Sequence, residues 1–134
     1  MLIMRPSEET FAAMTSVPIE QMLETIGRFN HDLIRAGVLL AAEGLDPELS
    51  VVVDYSSEPP LVTDGPYGET KELFGGLYIL DVATVEEAVE WAKRMPRFPG
   101  AKTEIRRVTQ IDEFPQDNEW VVEERAWREQ TGQI

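Results

Sequence analysis

The chain has 134 residues, 43% hydrophobic and 28% charged, so one domain with a packed core is expected and the charged, aromatic-poor composition of a disordered chain is excluded. Twelve Lys and Arg against twenty-five Asp and Glu give a formal charge of -13. Such a field repels a phosphate backbone, and nucleic-acid binding lacks its usual electrostatic footprint.

Cysteine is absent, which removes disulfides, thiolate metal sites and cysteine nucleophiles and accords with a reducing compartment. The opening Leu2 to Met4 run is apolar but too short to separate strand from helix start. It is also shorter than a signal peptide's hydrophobic region, and no later run approaches the ~20 residues that span a bilayer, so a cytoplasmic location with no membrane partner is expected.

From Pro18 onward Ile19, Met22, Leu23, Ile26, Phe29, Leu33 and Ile34 recur at spacings of three and four, which predicts one buried helix face. Pro18 suits a first helical turn and Gly37 a left-handed C-terminal cap. Val38 to Ala42 and the β-branched block Val51-Val52-Val53 then read as strands, separated by the turn chemistry of Glu43 to Pro47. Leu49 to Thr63 is expected to form a hairpin around the loop Ser56 to Pro60.

A turn-rich loop, Asp64-Gly65-Pro66-Tyr67-Gly68, leads through Glu69-Thr70-Lys71-Glu72 into a central strand from Leu73 to Asp81. The pair Gly75-Gly76 marks a bulge or a close backbone approach in that strand. Thr84 and Glu87 have the spacing of a capping box, and Val85, Ala88, Val89, Ala92 and Met95 continue as an apolar stripe that Pro96 stops. Thr103 to Val108 supplies a last strand. Beyond it, Asp117 to Gln130 is expected to form a further helix with Trp120, Val121 and Trp127 as its apolar contacts.

The order is β-α-β-β-α-β, the split βαβ or ferredoxin-like plan, an α+β fold built on an antiparallel sheet. Residues 1–110 make up this domain and residues 111–134 a C-terminal extension.

The stretch Val62-Thr63-Asp64-Gly65-Pro66-Tyr67-Gly68-Glu69-Thr70-Lys71-Glu72, followed by Leu73 to Val82, resembles the DGPF motif and succeeding strand of the YCII-related family. Tyr67 stands where that motif usually has Phe, which keeps the ring and adds a hydroxyl. The resemblance continues through Ala36-Gly37-Val38-Leu39, Glu43-Gly44-Leu45 and Glu87 to Ala92, and covers residues 1–110. It implies a ferredoxin-like fold whose sheets pair into a homodimer of the dimeric α+β barrel type. The family is largely uncharacterised; some relatives are linked to extracytoplasmic-function sigma factors and others resemble small lyases or dehydrochlorinases. One branch carries a His at the start of the first helix and an Asp at the end of the second as a proposed catalytic pair. The corresponding segments here are Val17-Pro18-Ile19-Glu20 and Lys93-Arg94-Met95-Pro96, so that chemistry does not transfer.

The motif loop gathers acceptors, donors and a cation that suit a small polar or aromatic-acid ligand. Glu43, Asp64, Tyr67, Thr70 and Lys71 are the ligand-binding candidates. Asp64 or Glu69 as general base, with Lys71 or Tyr67 stabilising developing negative charge, are the catalytic ones. The bland alternative carries comparable weight: an Asp commonly bonds amides of its own turn, and a surface Lys pairs with a neighbouring carboxylate. Glu43 could equally just terminate a strand.

His31 is the only histidine. It sits beside Asp32, but adjacent helical positions point about 100° apart, so the pair reads as exposed helix surface and not as an oriented dyad. With one His and no Cys, only an oxygen-ligated hard cation is plausible, and no metal site is assigned. No P-loop, dinucleotide fingerprint or nucleophile elbow is present, so no cofactor is implied. Trp91, Trp120 and Trp127 read as core or subunit contacts. The sequence therefore points first to a small-molecule-binding domain. A cofactor-independent lyase or isomerase and a regulatory protein-binding accessory remain as alternatives, and enzymatic activity stays open.

Overall fold

A computed structural model describes residues 1–46, 49–65 and 74–133. The elements run β1 (Leu2–Arg5), α1 (Glu8–Thr15), α2 (Ile19–Ala36), β2 (Leu39–Gly44), β3 (Val51–Asp54), β4 (Leu61–Asp64), β5 (Gly76–Leu80), α3 (Val85–Lys93), β6 (Lys102–Ile105), a 3-10 turn (Ile111–Glu113) and α4 (Glu119–Thr131). The short opening run is a strand because it is paired on both edges: β1 lies antiparallel between β5 and β6. With β2 on the far side of β5, the four-stranded sheet has the order β2-β5-β1-β6. The fold is thus mixed α+β with an antiparallel sheet. β1 and β2 run the same way with β5 between them, and β5 and β6 do likewise with β1 between them.

Strand alternation sends Leu2, Tyr78, Leu80, Ala42 and Ile105 to one face, where they meet Phe29 and Leu33 of α2 and Met95 beyond α3. Leu33 is fully buried, a burial that contributes roughly 1.5–3 kcal/mol. The Phe29 and Tyr78 rings pack edge to face at 5.5 Å. Tyr78 also donates from its hydroxyl to Asn30 Oδ1 at 3.0 Å, and its burial raises the phenol's pKa.

The buried stripe of α2 is narrower than its apolar pattern. Phe29 and Leu33 are buried and Met22 and Ile26 partly so, but Ile19, Leu23 and Ile34 face solvent. A single sheet covers only one side of the helix. Gly37 ends it at φ 72°, with its amide on Ile34 O, as a left-handed cap. At α3, Thr84 Oγ1 accepts from the Glu87 amide at 3.2 Å, while the Glu87 carboxylate accepts from the Ala83 amide one residue earlier than a reciprocal box would have it.

Helix α1 was not expected from the apolar pattern. Ser7 caps it by accepting from the Thr10 amide, and Thr10 is buried, donating to Pro99 O at 2.9 Å. These bonds fix α1 against the turn before β6. Strands β3 and β4 form a separate two-stranded sheet, extended by the Gly65 amide donating to Ser50 O. At the other end of the chain, Arg107 grips Glu113 through both guanidinium nitrogens at 2.6 and 2.7 Å, and the Gln110 amide adds a third bond. Asn118 caps α4, and Arg125 ties it back to Asp112 at 2.6 Å and to Gln116. None of the helices, among the described residues, is long and apolar enough to cross a membrane.

Candidate functional site

Where β2 ends, the chain turns away at Gly44-Leu45-Asp46 under α1. The Leu45 amide donates to Gly75 O, and the Gly75 amide to Met4 O, so the segment entering β5 is stitched to both neighbours. Between this corner and α1 lies an open cleft of about 470 Å³ lined by Phe11, Thr15, Gly44, Leu45, Asp46 and Gly75. Phe11 and Leu45 supply apolar surface; Thr15 and Asp46 supply polar groups, and both already have partners within the chain, the Thr15 hydroxyl donating to Ala12 O. The cleft comes from three distant segments, which is why residue spacing did not disclose it. Two signals bore on it: Ser7 followed by Glu8 and Glu9 is a helix start, and Gly75-Gly76 marks a close approach.

Close approach is what the sheet shows at Gly76, whose φ is 151°: a Cβ there would stand 2.5 Å from Glu43 O. The irregular step itself lies in the partner strand, between Leu39 and Ala41. Glu43 is exposed and is not among the cleft's lining residues. It pairs with Leu77, which pairs with Ile3, which pairs with Glu104, so these four form one row across the sheet face opposite the helices. At the β6 end of this row Glu104 accepts from Arg5 at 2.6 Å and from Arg106 at 2.5 Å, and the Arg106 and Arg5 bonds hold its carboxyl below the ordinary range.

Asp64 sits on the hairpin, opposite Val51 and exposed. The structure therefore places Glu43 and Asp64 on different sheets, and neither lines the cleft. Tyr67, Glu69, Thr70 and Lys71 lie outside the described residues. The described chain resumes at Phe74, and Gly75 after it lines the cleft. His31 is exposed, and its neighbour Asp32 is taken by Arg94 at 2.6 Å, whose guanidinium in turn stacks on Trp91 at 4.2 Å. No His-Asp dyad forms. Trp91 packs against the core, whereas Trp120 and Trp127 are 68% and 51% exposed.

Besides Glu104, the carboxyls with shifted pKa among the described residues are Asp54, lowered by bonds from Ser56, and Glu113, lowered to about 2 by Arg107 and the Gln110 amide. All three shifts stabilise the charged form, and none of the three residues lines the cleft.

An uncharacterized protein of Rhizobium meliloti (strain 1021) is 28% identical to this chain over 87 residues, which cover 64% of this chain and 70% of that protein. The family model of the YCII-related domain matches residues 1–112. The match takes in the whole four-stranded sheet, the helices packed on it, the hairpin and the cleft, and the chain belongs to the YCII-related domain family.

Proposed function

We propose that this YCII-related chain binds a small organic ligand in the cleft between α1 and the β2–β5 corner, with the motif residues as further ligand contacts. One observation carries the reading: Gly75, on the cleft wall opposite Gly44 to Asp46, lies four residues after Lys71, the last of the Asp64 to Lys71 motif set. A cleft of about 470 Å³ is within the ordinary range for small-molecule sites. Its lining favours a ligand with an apolar body against Phe11 and Leu45 and a hydroxyl or amine toward Asp46.

In this reading Glu43, Asp64, Tyr67, Thr70 and Lys71 are the candidate ligand-binding residues. Asp64, Glu69 and Lys71 are the groups available for acid–base chemistry if turnover occurs. The binding role ranks first, because the described lining of the cleft holds a single carboxylate, Asp46, with no second acid–base side chain beside it. The ferredoxin-like plan, the DGPF type and a cytoplasmic homodimer belong to the same proposal. The strand order β2-β5-β1-β6 with its two helical crossovers supports the first, and the motif with Tyr67 supports the second. Residues 111–134, whose helix α4 is tied on by Arg125, are taken as an extension.

The test is a thermal-shift screen against small organic acids, phenolic ring-cleavage products and metal ions, run on the parent and on D46N, D64N and K71A. A ligand at a hundred times its Kd adds about 2.7 kcal/mol to the parent's stability. A shift seen in the parent and lost in D46N and K71A supports the site. A shift retained in all three variants, or no shift from any compound with the fold intact, refutes it.

A further inference from the structure

The β3–β4 hairpin has an apolar face that the described residues of its own chain leave uncovered. Its strands pair only with each other among the described residues. The register Val51↔Asp64 and Val53↔Val62 puts these four residues on one face. On that face Val51, Val53 and Val62 are 64%, 44% and 67% exposed. Leu49 and Tyr55, just beyond the ends of β3, are exposed as well. Val52, on the other face, is partly covered. An isolated two-stranded hairpin is marginal in water and needs a covering layer to persist.

The surface area of the chain makes the same point. It exposes 10034 Å², whereas a folded monomer of this mass is expected to expose about 7,100 Å². If the eleven residues outside the described set contributed like unfolded chain, about 1,800 Å², an excess of about 1,100 Å² would still stand. A standard interface removes about 800 Å² from each partner. The excess is therefore of the size a stable dimer buries, and a face that must be covered whenever the chain is folded needs a partner present at the chain's own concentration.

We infer that the Val51, Val53 and Val62 face of the hairpin is covered by a second copy of this chain, which makes Asp64 a subunit-boundary residue. The inference rests on the homodimer in the proposed function and locates its interface. The closed arrangement is two-fold, with the same face buried on both copies.

The experiment is sedimentation of the full chain over a concentration series, with V62D on the inferred interface and T63D on the opposite face of the same strand. The parent and T63D are expected at twice the 15.2 kDa chain mass, and V62D is expected to raise the dimer Kd about a hundredfold or more, because it brings like charges into an apolar contact. The chain has no cysteine, so V62C carries a single nitroxide label that reports directly on cover, immobilised in the dimer if the inference is right. A parent that stays monomeric overturns the dimer reading and the inference together. A parental dimer with a freely mobile label at position 62 overturns the inference alone, whatever V62D does. Neither result touches the ligand reading, which the thermal-shift screen decides.

Discussion

Replacing Gly76 by Ala tests the corner on which the cleft is built. Gly76 sits in β5 between Met4 and Gly44 with φ 151°, a region that is essentially glycine's own and costs another residue about 1–3 kcal/mol. The new Cβ would lie 2.5 Å from Met4 Cε, 2.5 Å from Glu43 O and 3.2 Å from Gly44 Cα. The methionine methyl can swing away. The Glu43 carbonyl belongs to a paired strand and cannot, and the contact is about 0.8 Å shorter than the ~3.3 Å at which carbon and carbonyl oxygen normally meet. Overpacking of this kind adds about 1–3 kcal/mol, so G76A should lose about 2–6 kcal/mol of a total near 5–15 kcal/mol. In urea, with a slope near 2 kcal/mol per molar, a loss of about 4 kcal/mol lowers the midpoint by about 2 M. The same loss should persist when G76A is made in an M4A background, since the carbonyl remains. A G76A midpoint unchanged from the parent would refute the reasoning, and full recovery in M4A would assign the crowding to the side chain instead of the backbone.

Leu33→Ala, at a fully buried position of α2, should cost about 2–5 kcal/mol by urea unfolding, while Ile34→Ala, 62% exposed one residue on, should stay within about 0.5 kcal/mol. Equal losses would restore the wider helix face. Tyr78→Phe removes the bond to Asn30 and should cost about 1 kcal/mol. The Tyr78 phenol's pKa is raised above 10.0 in the folded state, so its contribution is present below pH 10 and is lost as pH rises through the folded value; Y78F should lose this alkaline dependence. Glu113 is depressed from 4.5 to about 2, so its contribution is present above pH 4.5 and is lost as pH falls toward 2. An NMR titration of the Glu113 carboxyl should show the low midpoint in the parent and an upward move in Arg107→Ala; an unmoved midpoint would remove Arg107 as its main cause.

Elements whose identity is written in local periodicity were legible. The α2 stripe with Gly37 behind it, the β-branched block of β3 and the Thr84 cap of α3 each carry their own signal. α1 has only Phe11 and Met14 around Ala12 and Ala13, too weak a stripe, and is held by the polar Ser7 and Thr10 bonds that periodicity does not see. The exposure of Ile19, Leu23 and Ile34 was equally hidden, because an apolar residue does not say whether its partner lies in the same chain. The cleft needed Phe11, Asp46 and Gly75 to meet across long sequence separations. Motif spacing singled out Asp64, but only strand register shows that it shares a face with Val51, Val53 and Val62.

That register separates the core from the candidate site. Leu2, Phe29, Leu33 and Tyr78 hold the four-stranded sheet to α2 without help from the hairpin, whereas Asp64 belongs to a two-stranded sheet with no helix packed on it among the described residues. Local opening free energies follow local cover, so the hairpin should open far more readily than the core. A ligand that binds the motif residues next to β4 would then protect the β3 and β4 amides from hydrogen exchange before it protected those of β1 or β5. If the hairpin's cover comes from a second copy, dilution should expose the same amides with the core still protected. Protection that rises uniformly across both sheets would mean instead that hairpin and core fold as one unit, and the separation argued from register would fail.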